Sequence, residues 1–409
     1  MAPSPVNARP NRAPWSVCWA LVALAGCHTA AAPATRYAPA PAQLPVTNRT
    51  ALEPDTSAVP TEAAPLPRPT EYRRLTAADA RRLAVASAPF AADLDRHDDN
   101  RGPSHAKLAK KAAKFAEASR LVRGHAADEL RNRAAGEALE EFFKLVEAEG
   151  QFDLLAASDA ELRAQLEQAR RAENVGLKDR ADMPALRRKR LDIEAQQAKL
   201  QAGIGALNAS LRARLGLAAD DPLPLWPVDP LKVQPDDVDV PQAVATGLHY
   251  RPDLNALRVL AADGAADLTD TVLSGLNPLL AALKPDNPLA LLFLPFTKHP
   301  ERQKAAAAAR AASALAARER QAEAEIRAAA VTLRGNRAAV AARTLDVRAA
   351  ETQVAELEQR RAAGINVTAD LATAKLELFK AKGALLSAAV EWHTAEVKVR
   401  QAMGLLVRE

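Results

Sequence analysis

Gly364-Ile365-Asn366-Val367-Thr368-Ala369-Asp370-Leu371 has an earlier counterpart in Gly176-Leu177-Lys178-Asp179-Arg180-Ala181-Asp182-Met183. Placing Gly176 on Gly364 sets an offset of 188 residues (364 − 176). Without a gap, that offset pairs Ala181 with Ala369, Asp182 with Asp370, Arg212 with Arg400, Gly216 with Gly404 and Leu217 with Leu405. A second anchor lies upstream, where Leu75-Thr-Ala-Ala-Asp-Ala80 followed by Pro89 parallels Val238-Asp-Val-Pro-Gln-Ala243 followed by Pro252, at an offset of 163 (252 − 89). One unit is therefore present twice, and its second copy is about 25 residues longer between the anchors (188 − 163).

Apolar periodicity outward from the glycines is helical. After Gly364, Leu371, Ala374, Leu378, Ala381, Leu385, Ala388, Trp392, Ala395, Val399 and Ala402 alternate steps of three and four, a heptad seam with large residues at one position and alanine at the other. Such a seam supercoils left-handed. Copy one keeps the register in Met183, Leu186, Ile193, Leu200, Ile204, Leu207 and Leu211. Before Gly364, Ile326, Leu333, Val340, Val347 and Val354 recur every seven residues, in a helix that starts near Glu301. Sixty helical residues span roughly 90 Å, a length suited to a tunnel or a spacer rather than a compact domain. Between the helices, Gly176 and Gly364 supply the left-handed C-cap conformation. Asp179 or Asp182 in copy one, and Asn366 or Thr368 in copy two, are the candidates to cap the next helix.

The composition fits long alanine-rich helices: apolar residues make 48% of the chain but aromatics only 4%. The 55 basic and 50 acidic residues are interspersed, as on a solvated helix surface, and leave a net charge of +5. No basic stripe with interleaved aromatics marks a nucleic-acid binder. The seven histidines form no H-E-x-x-H spacing, and no G-x-S-x-G, P-loop or G-x-G-x-x-G sequence occurs, so neither an enzyme nor a resident cofactor or metal is expected. His97-Asp98-Asp99 is the one cluster of ligand-like groups and reads as a solvated turn. Trp392 and the pair Phe142/Phe143 read as core.

The N-terminus carries export signals. Arg9 and Arg12 precede the apolar run Val17 to Ala25, which ends in Leu24-Ala25-Gly26-Cys27, the tetrad of a bacterial lipobox. Cys27 is the expected lipidation site, with acyl chains buried in a bilayer at about 0.8 kcal/mol per CH2. Cys18 lies in the peptide that cleavage removes, so no disulfide framework is expected. His28, where an aspartate would signal inner-membrane retention, points to the outer membrane. The expected organisation is a lipoprotein signal peptide at 1–26, a Pro/Ala-rich disordered tether at 27–70, a first helical repeat at 71–220, a Pro-rich connector at 221–237 and a second repeat at 238–409.

These residues together resemble the TolC-like outer-membrane factors of bacterial tripartite efflux and type I secretion systems. The likeness covers Leu75 to Leu406 and rests on Leu75-Thr-Ala-Ala-Asp-Ala with Pro89, Arg251-Pro-Asp-Leu254, the two glycine turns, and the closing Leu215-Gly-Leu217 and Met403-Gly-Leu405. It implies a predominantly all-α fold of long antiparallel coiled-coil hairpins in two tandem repeats, assembled as a homotrimer around a periplasmic tunnel. Val175, Gly176, Leu177, Gly364 and Ile365 would form the tip on which a periplasmic adaptor protein of an inner-membrane pump docks. Asp182 and Asp370 would flank the tunnel mouth, where acidic side chains tune cation passage.

The membrane end departs from the family pattern. Spanning strands need about 9–11 alternating residues, and copy one offers only the polar Asp95 to Ser104. Copy two offers Val272 to Phe296, whose prolines at 278, 285, 288 and 295 exclude a spanning helix. At most a short degenerate β or apolar hairpin near 272–296 is expected. The alternative to a conduit is a lipid-anchored periplasmic coiled-coil scaffold of the same descent without a pore.

Overall fold

The computed structural model describes residues 46–48, 71–95, 106–174, 183–234, 237–262, 300–365 and 367–408. In chain order its elements are β1 (Val46–Asn48), β2 (Glu71–Leu75), α1 (Ala77–Ser87), α2 (Ala91–Asp95), α3 (Ala106–Asn174), α4 (Met183–Arg214), β3 (Leu225–Pro227), α5 (Val240–Tyr250), α6 (Pro252–Ala261), α7 (Pro300–Ala362) and α8 (Thr368–Ala402). Helix α3 has 69 residues and α7 has 63, roughly 100 Å and 95 Å of helix. Both lengths follow from the sequence. Neither helix has an interior proline, and the Pro300 of α7 sits at its first position, where the missing N–H costs nothing.

The duplication is visible in matched helix caps. The Thr76 hydroxyl oxygen accepts the Asp79 amide hydrogen at 3.0 Å and starts α1. At the 163-residue offset, the Asp239 carboxylate accepts the Gln242 amide hydrogen at 3.2 Å and starts α5. Both helices are 11 residues long, and their anchor alanines, Ala80 and Ala243, are buried. The closing motifs match at the other offset. Gly216 (φ +64°) and Gly404 (φ +73°) each end a helix, with Leu217 N donating to Arg212 O and Leu405 N to Arg400 O, both at 3.0 Å. This six-to-one bond is the Schellman cap, which satisfies a carbonyl the helix leaves orphaned.

The long helices lie in a row. Helix α4 packs on α3, α3 on α8, and α8 on α7. Rising numbers on one helix meet falling numbers on the next, as in Arg214 to Glu137, Arg190 to Asp159, Lys382 to Glu351 and Lys375 to Glu358, so neighbours are antiparallel. The heptad seam of α8 packs as its spacing predicts: Leu385, Ala388, Trp392, Ala395 and Val399 bury against Leu333, Val340 and Val347 of α7. Phe142 and Phe143 are core residues too. They join Leu75, Leu145, Leu211, Leu215, Leu225 and Leu386 in the largest apolar cluster, where α1, α3, α4, α8 and the strands meet.

The structure adds a small sheet to the helical architecture expected from the sequence. The strands lie in the N-terminal stretch and the Pro-rich connector, and they form a three-stranded sheet in the order β1-β2-β3. Strand β1 pairs antiparallel to β2, with Val46 opposite Arg73, and β3 pairs parallel to β2, with Leu75 opposite Pro227. Proline is tolerated because β3 is an edge strand. Such short strands carry little periodic signal, and their stability comes from tertiary contacts: Tyr72 packs on Trp226 with ring centroids 5.1 Å apart, and the buried Asn208 of α4 accepts the Leu225 amide hydrogen at 2.6 Å. The segment 272–296, where a hairpin was expected, lies outside the described residues, as does 96–105.

Candidate functional site

The turn that joins α7 to α8 is built from its glycine. Gly364 has φ +81°, its N–H donates to Arg361 O at 3.0 Å, and Ile365 N–H donates to Arg360 O at 3.1 Å. A Cβ at 364 would meet nothing within 4 Å, so glycine is required there by conformation and not by space. Beneath the turn, Val367, Leu371 and Ala374 pack on Leu357 and fix the angle at which α8 departs. Above it, Ile365 keeps 53% of its surface exposed, and Asp370 is exposed in the first turn of α8. An aspartate there faces the positive end of the helix dipole.

The capping expectation for this turn fails at Thr368, which is the first residue inside α8. Val367 holds the N-cap position and makes no side-chain cap bond, because its contribution is burial against Leu357 and Leu371. Asn366 lies outside the described residues. So do Val175, Gly176, Leu177, Asp179 and Asp182 of the copy-one turn, Cys27, and the His97-Asp98-Asp99 cluster. Among the described residues, no group of three or more His, Cys, Asp or Glu side chains could hold a metal ion.

Behind the turn, ion pairs tie the hairpins to each other. Lys375 Nζ lies 3.6 Å from Glu358 of its own hairpin and 3.6 Å from Glu161 of α3. In the first hairpin, the buried Asp159 pairs with Arg190 of α4 at 3.2 Å and with Arg163 at 2.6 Å. Burial disfavours the Arg190 charge, but hydrogen bonding to Asp159 and the nearby Glu194 carboxylate outweigh it and raise its pKa.

A second charged cluster sits at the other end of the hairpins, at the corner between α5 and α6. Arg251, nearly fully buried, forks onto Asp253 (Nε to Oδ1 3.0 Å, Nη2 to Oδ2 2.9 Å), and its Nη1 donates to Glu325 of α7 at 2.7 Å and to the Ala402 carbonyl at 3.0 Å. Arg318 of α7 closes the ring, at 2.8 Å from Asp253 and 2.7 Å from Glu325. Burial pushes the Asp253 and Glu325 carboxyls up, but the two guanidiniums bring both below the ordinary carboxylate range. Glu129 of α3 faces the same cluster. Burial and the neighbouring Asp253 charge push it up to about 7. Arg251-Pro-Asp-Leu254 is a motif in the sequence, but its part in this network is visible only in the fold. The signal was the strict Arg-x-Asp spacing at a proline-started helix, which places a fork-shaped donor beside a carboxylate.

The ion pairs behind the Gly364 turn tie α4 to α3 and α3 to α7 and α8, and the Arg251 cluster ties α7 and the end of α8 to α5 and α6. No protein-family model and no curated protein matches the sequence. Solved structures do match: the outer membrane protein VceC from Vibrio cholerae aligns at TM-score 0.51 and 15% identity, over 80% of this chain and 92% of that one. The chain has the TolC-like outer-membrane-channel fold. The same fold is shared with the open state of the MtrE outer membrane channel of Neisseria gonorrhoeae, at TM-score 0.52 and 17% identity over 73% of this chain and 72% of that one. The outer-membrane channel OprN aligns at 0.52 and 15% identity, over 72% and 71%. Within this channel fold, Gly364 and Ile365 occupy the free end of a hairpin. Among the described residues no helix is long and apolar enough to cross a membrane.

Proposed function

We propose that this chain is the outer-membrane component of a tripartite efflux or type I secretion system, a non-enzymatic conduit whose hairpins line a periplasmic tunnel. The observation that carries this reading is the paired-hairpin fold, shared over about three quarters of the chain with one protein described as an outer membrane protein and two described as outer membrane channels. The working form is a homotrimer held to the outer membrane by acyl chains on Cys27, with its body in the periplasm. Its partners are a periplasmic adaptor protein and, through that adaptor, an inner-membrane pump. The Gly364 turn with the exposed Ile365, together with Val175, Gly176 and Leu177, provides the docking tip, and Asp182 and Asp370 flank the mouth.

A specific feature of the sequence supports a second reading, a lipid-anchored scaffold without a pore. Copy one has only the polar stretch Asp95 to Ser104 where a spanning strand pair belongs, and copy two has a proline-interrupted apolar segment. Planar-bilayer recording of the purified lipoprotein, with far-ultraviolet circular dichroism, separates the two. Stepwise conductance with a measurable β component supports the conduit. Silent bilayers with no β signal beyond that of the small β1-β2-β3 sheet would leave the scaffold.

A further inference from the structure

The start of α4 is charged in a way that folding does not explain. Arg187, Arg188 and Lys189 are consecutive and exposed, and none of them forms an ion pair or side-chain hydrogen bond among the described residues. The cations around them are engaged: Arg190 with Asp159 at 3.2 Å and Glu194 at 2.6 Å, and Arg163 with Asp159 at 2.6 Å. Basic side chains on the other side of the turns have a structural reason. Arg171 lies in the last turn of α3, and Arg360 and Arg361 in the last turn of α7, where the negative end of the helix dipole favours a cation. Arg187, Arg188 and Lys189 lie instead within about 10 Å of the positive end of α4, where the dipole offers a cation nothing and adjacent like charges repel.

The second repeat supplies a control within the same chain. At the offset of 188, these positions become Lys375, Leu376 and Glu377 on α8. Lys375 is held between Glu161 and Glu358, both at 3.6 Å, Leu376 is half-buried, and Glu377 pairs with Lys380 at 2.6 Å. The same place in the same hairpin is therefore built there without a free cation. What copy one adds is positive charge available to something outside the chain. Successive residues are turned by about 100° around a helix, so three in a row form a collar. A helix packed alongside α4 would reach only part of that collar. A partner arriving at the end of the hairpin reaches all of it.

We infer that the collar of Arg187, Arg188 and Lys189 receives an acidic surface of the adaptor protein, so that the two turns of one chain dock by different means, the first through charge and the second through the exposed Ile365. This inference rests on the proposal that the turns are docking tips, and it names the chemistry that the adaptor presents to the first of them. Opposite charges steer the encounter and set which partner is accepted. Exposed charges are screened by salt, with a Debye length of about 10 Å at 0.1 M, so this contact and not the apolar one is sensitive to ionic strength.

The test is binding of the purified cognate adaptor to the full-length lipoprotein in detergent, measured by surface plasmon resonance at about 50 and about 500 mM sodium chloride. Affinity of the parent is expected to fall roughly ten-fold over that range, chiefly through the association rate. That readout needs no substitution. Arg187→Gln, Arg188→Gln and Lys189→Gln together should lose roughly ten-fold at low salt and most of the salt dependence. Arg187→Lys, Arg188→Leu and Lys189→Glu, which write the copy-two residues into copy one, should do the same. Ile365→Ser should weaken binding but keep the salt dependence. Adaptor binding that is indifferent to salt, or equal in the parent and both collar variants, would overturn the charge assignment and leave the docking tips standing. A parent that binds no adaptor at either salt would overturn the docking tips and this inference with them. Collar variants that bind normally but lose their oligomer in native mass spectrometry would assign the cations to contact between copies, which also overturns it.

Discussion

Gly404 lies directly beneath Arg251: a Cβ at 404 would come within 2.9 Å of the Arg251 Cα and 3.0 Å of Pro252 Cδ. Gly216 holds the equivalent place in copy one, where a Cβ would come within 2.9 Å of Ser87 Cβ. Each repeat therefore ends by pressing the backbone of its closing glycine onto the C-terminus of its own first short helix. Gly404→Ala combines a left-handed conformation with a clash against backbone, and a loss of roughly 2–4 kcal/mol is expected. Gly364→Ala meets open space and bears only the conformational cost, about 1 kcal/mol. Denaturant midpoints of the two variants measured side by side check the difference, and equal losses would contradict it.

Arg251 ties together the end of α5, α6, α7 and the end of α8. Arg251→Met keeps much of the apolar stem but leaves Asp253 and Glu325 with Arg318 as their remaining cation, so the loss is expected near the lower end of the about 3–5 kcal/mol that breaking a buried ion pair costs. Arg251→Lys is expected to recover only part of that, since an ammonium cannot fork onto a carboxylate as a guanidinium does. Thermal unfolding followed by circular dichroism ranks the three proteins. A lysine variant as stable as the parent would show that the forked geometry contributes nothing.

Glu129 gives this cluster a pH dependence with a defined sign. Its folded-state pKa is raised from an ordinary 4.5 to about 7, so the folded chain holds the proton more tightly than the unfolded chain does. Stability is then greatest below pH 4.5 and falls as pH rises towards about 7, with no further loss from this group above that. Asp229, raised by burial, adds a slope of the same sign from a lower starting point. Asp253, Glu325, Glu396 and Asp79, all lowered, act oppositely, and their contribution is lost only as pH falls below the ordinary carboxylate range. Glu129→Gln is expected to flatten the curve of melting temperature between about pH 5 and 7. If the slope survives that substitution, the assignment to Glu129 is wrong.

Ile365 separates docking from folding. It is exposed at a turn whose anchoring falls to Val367 and Leu357, so Ile365→Ser is expected to change stability by less than about 0.5 kcal/mol. Pull-down with the cognate adaptor, and export by cells carrying the variant, should both fall if the tip docks as proposed. Unchanged export at normal protein levels would argue that this turn is not the contact.

Much of the helical body is legible in the sequence because a heptad seam is a local, repeated signal. Leu333, Val340 and Val347 on one helix and Leu385, Trp392 and Val399 on the next are found buried against each other, as their spacing requires. The sheet was not legible. Leu225-Trp226-Pro227 is too short to alternate and contains a strand-disfavouring proline, and only the Asn208 side chain and the Tyr72 ring, contributed from far along the chain, make it a strand. The cap of α8 was misread for a related reason. Sequence rules favour Asn366 or Thr368, whereas Val367, buried in the apolar cluster under the turn, holds the N-cap position.

By itself, the sequence determined the duplication, the glycines that end the helices, and the faces the hairpins bury, because each is encoded within a few turns of one helix. Tertiary structure alone decided that Arg251, Asp253, Arg318 and Glu325 form one network and that Gly404 must clear Arg251. Those facts depend on residues 65 to 153 positions apart (318 − 253; 404 − 251) meeting in space, and no local propensity specifies such meetings.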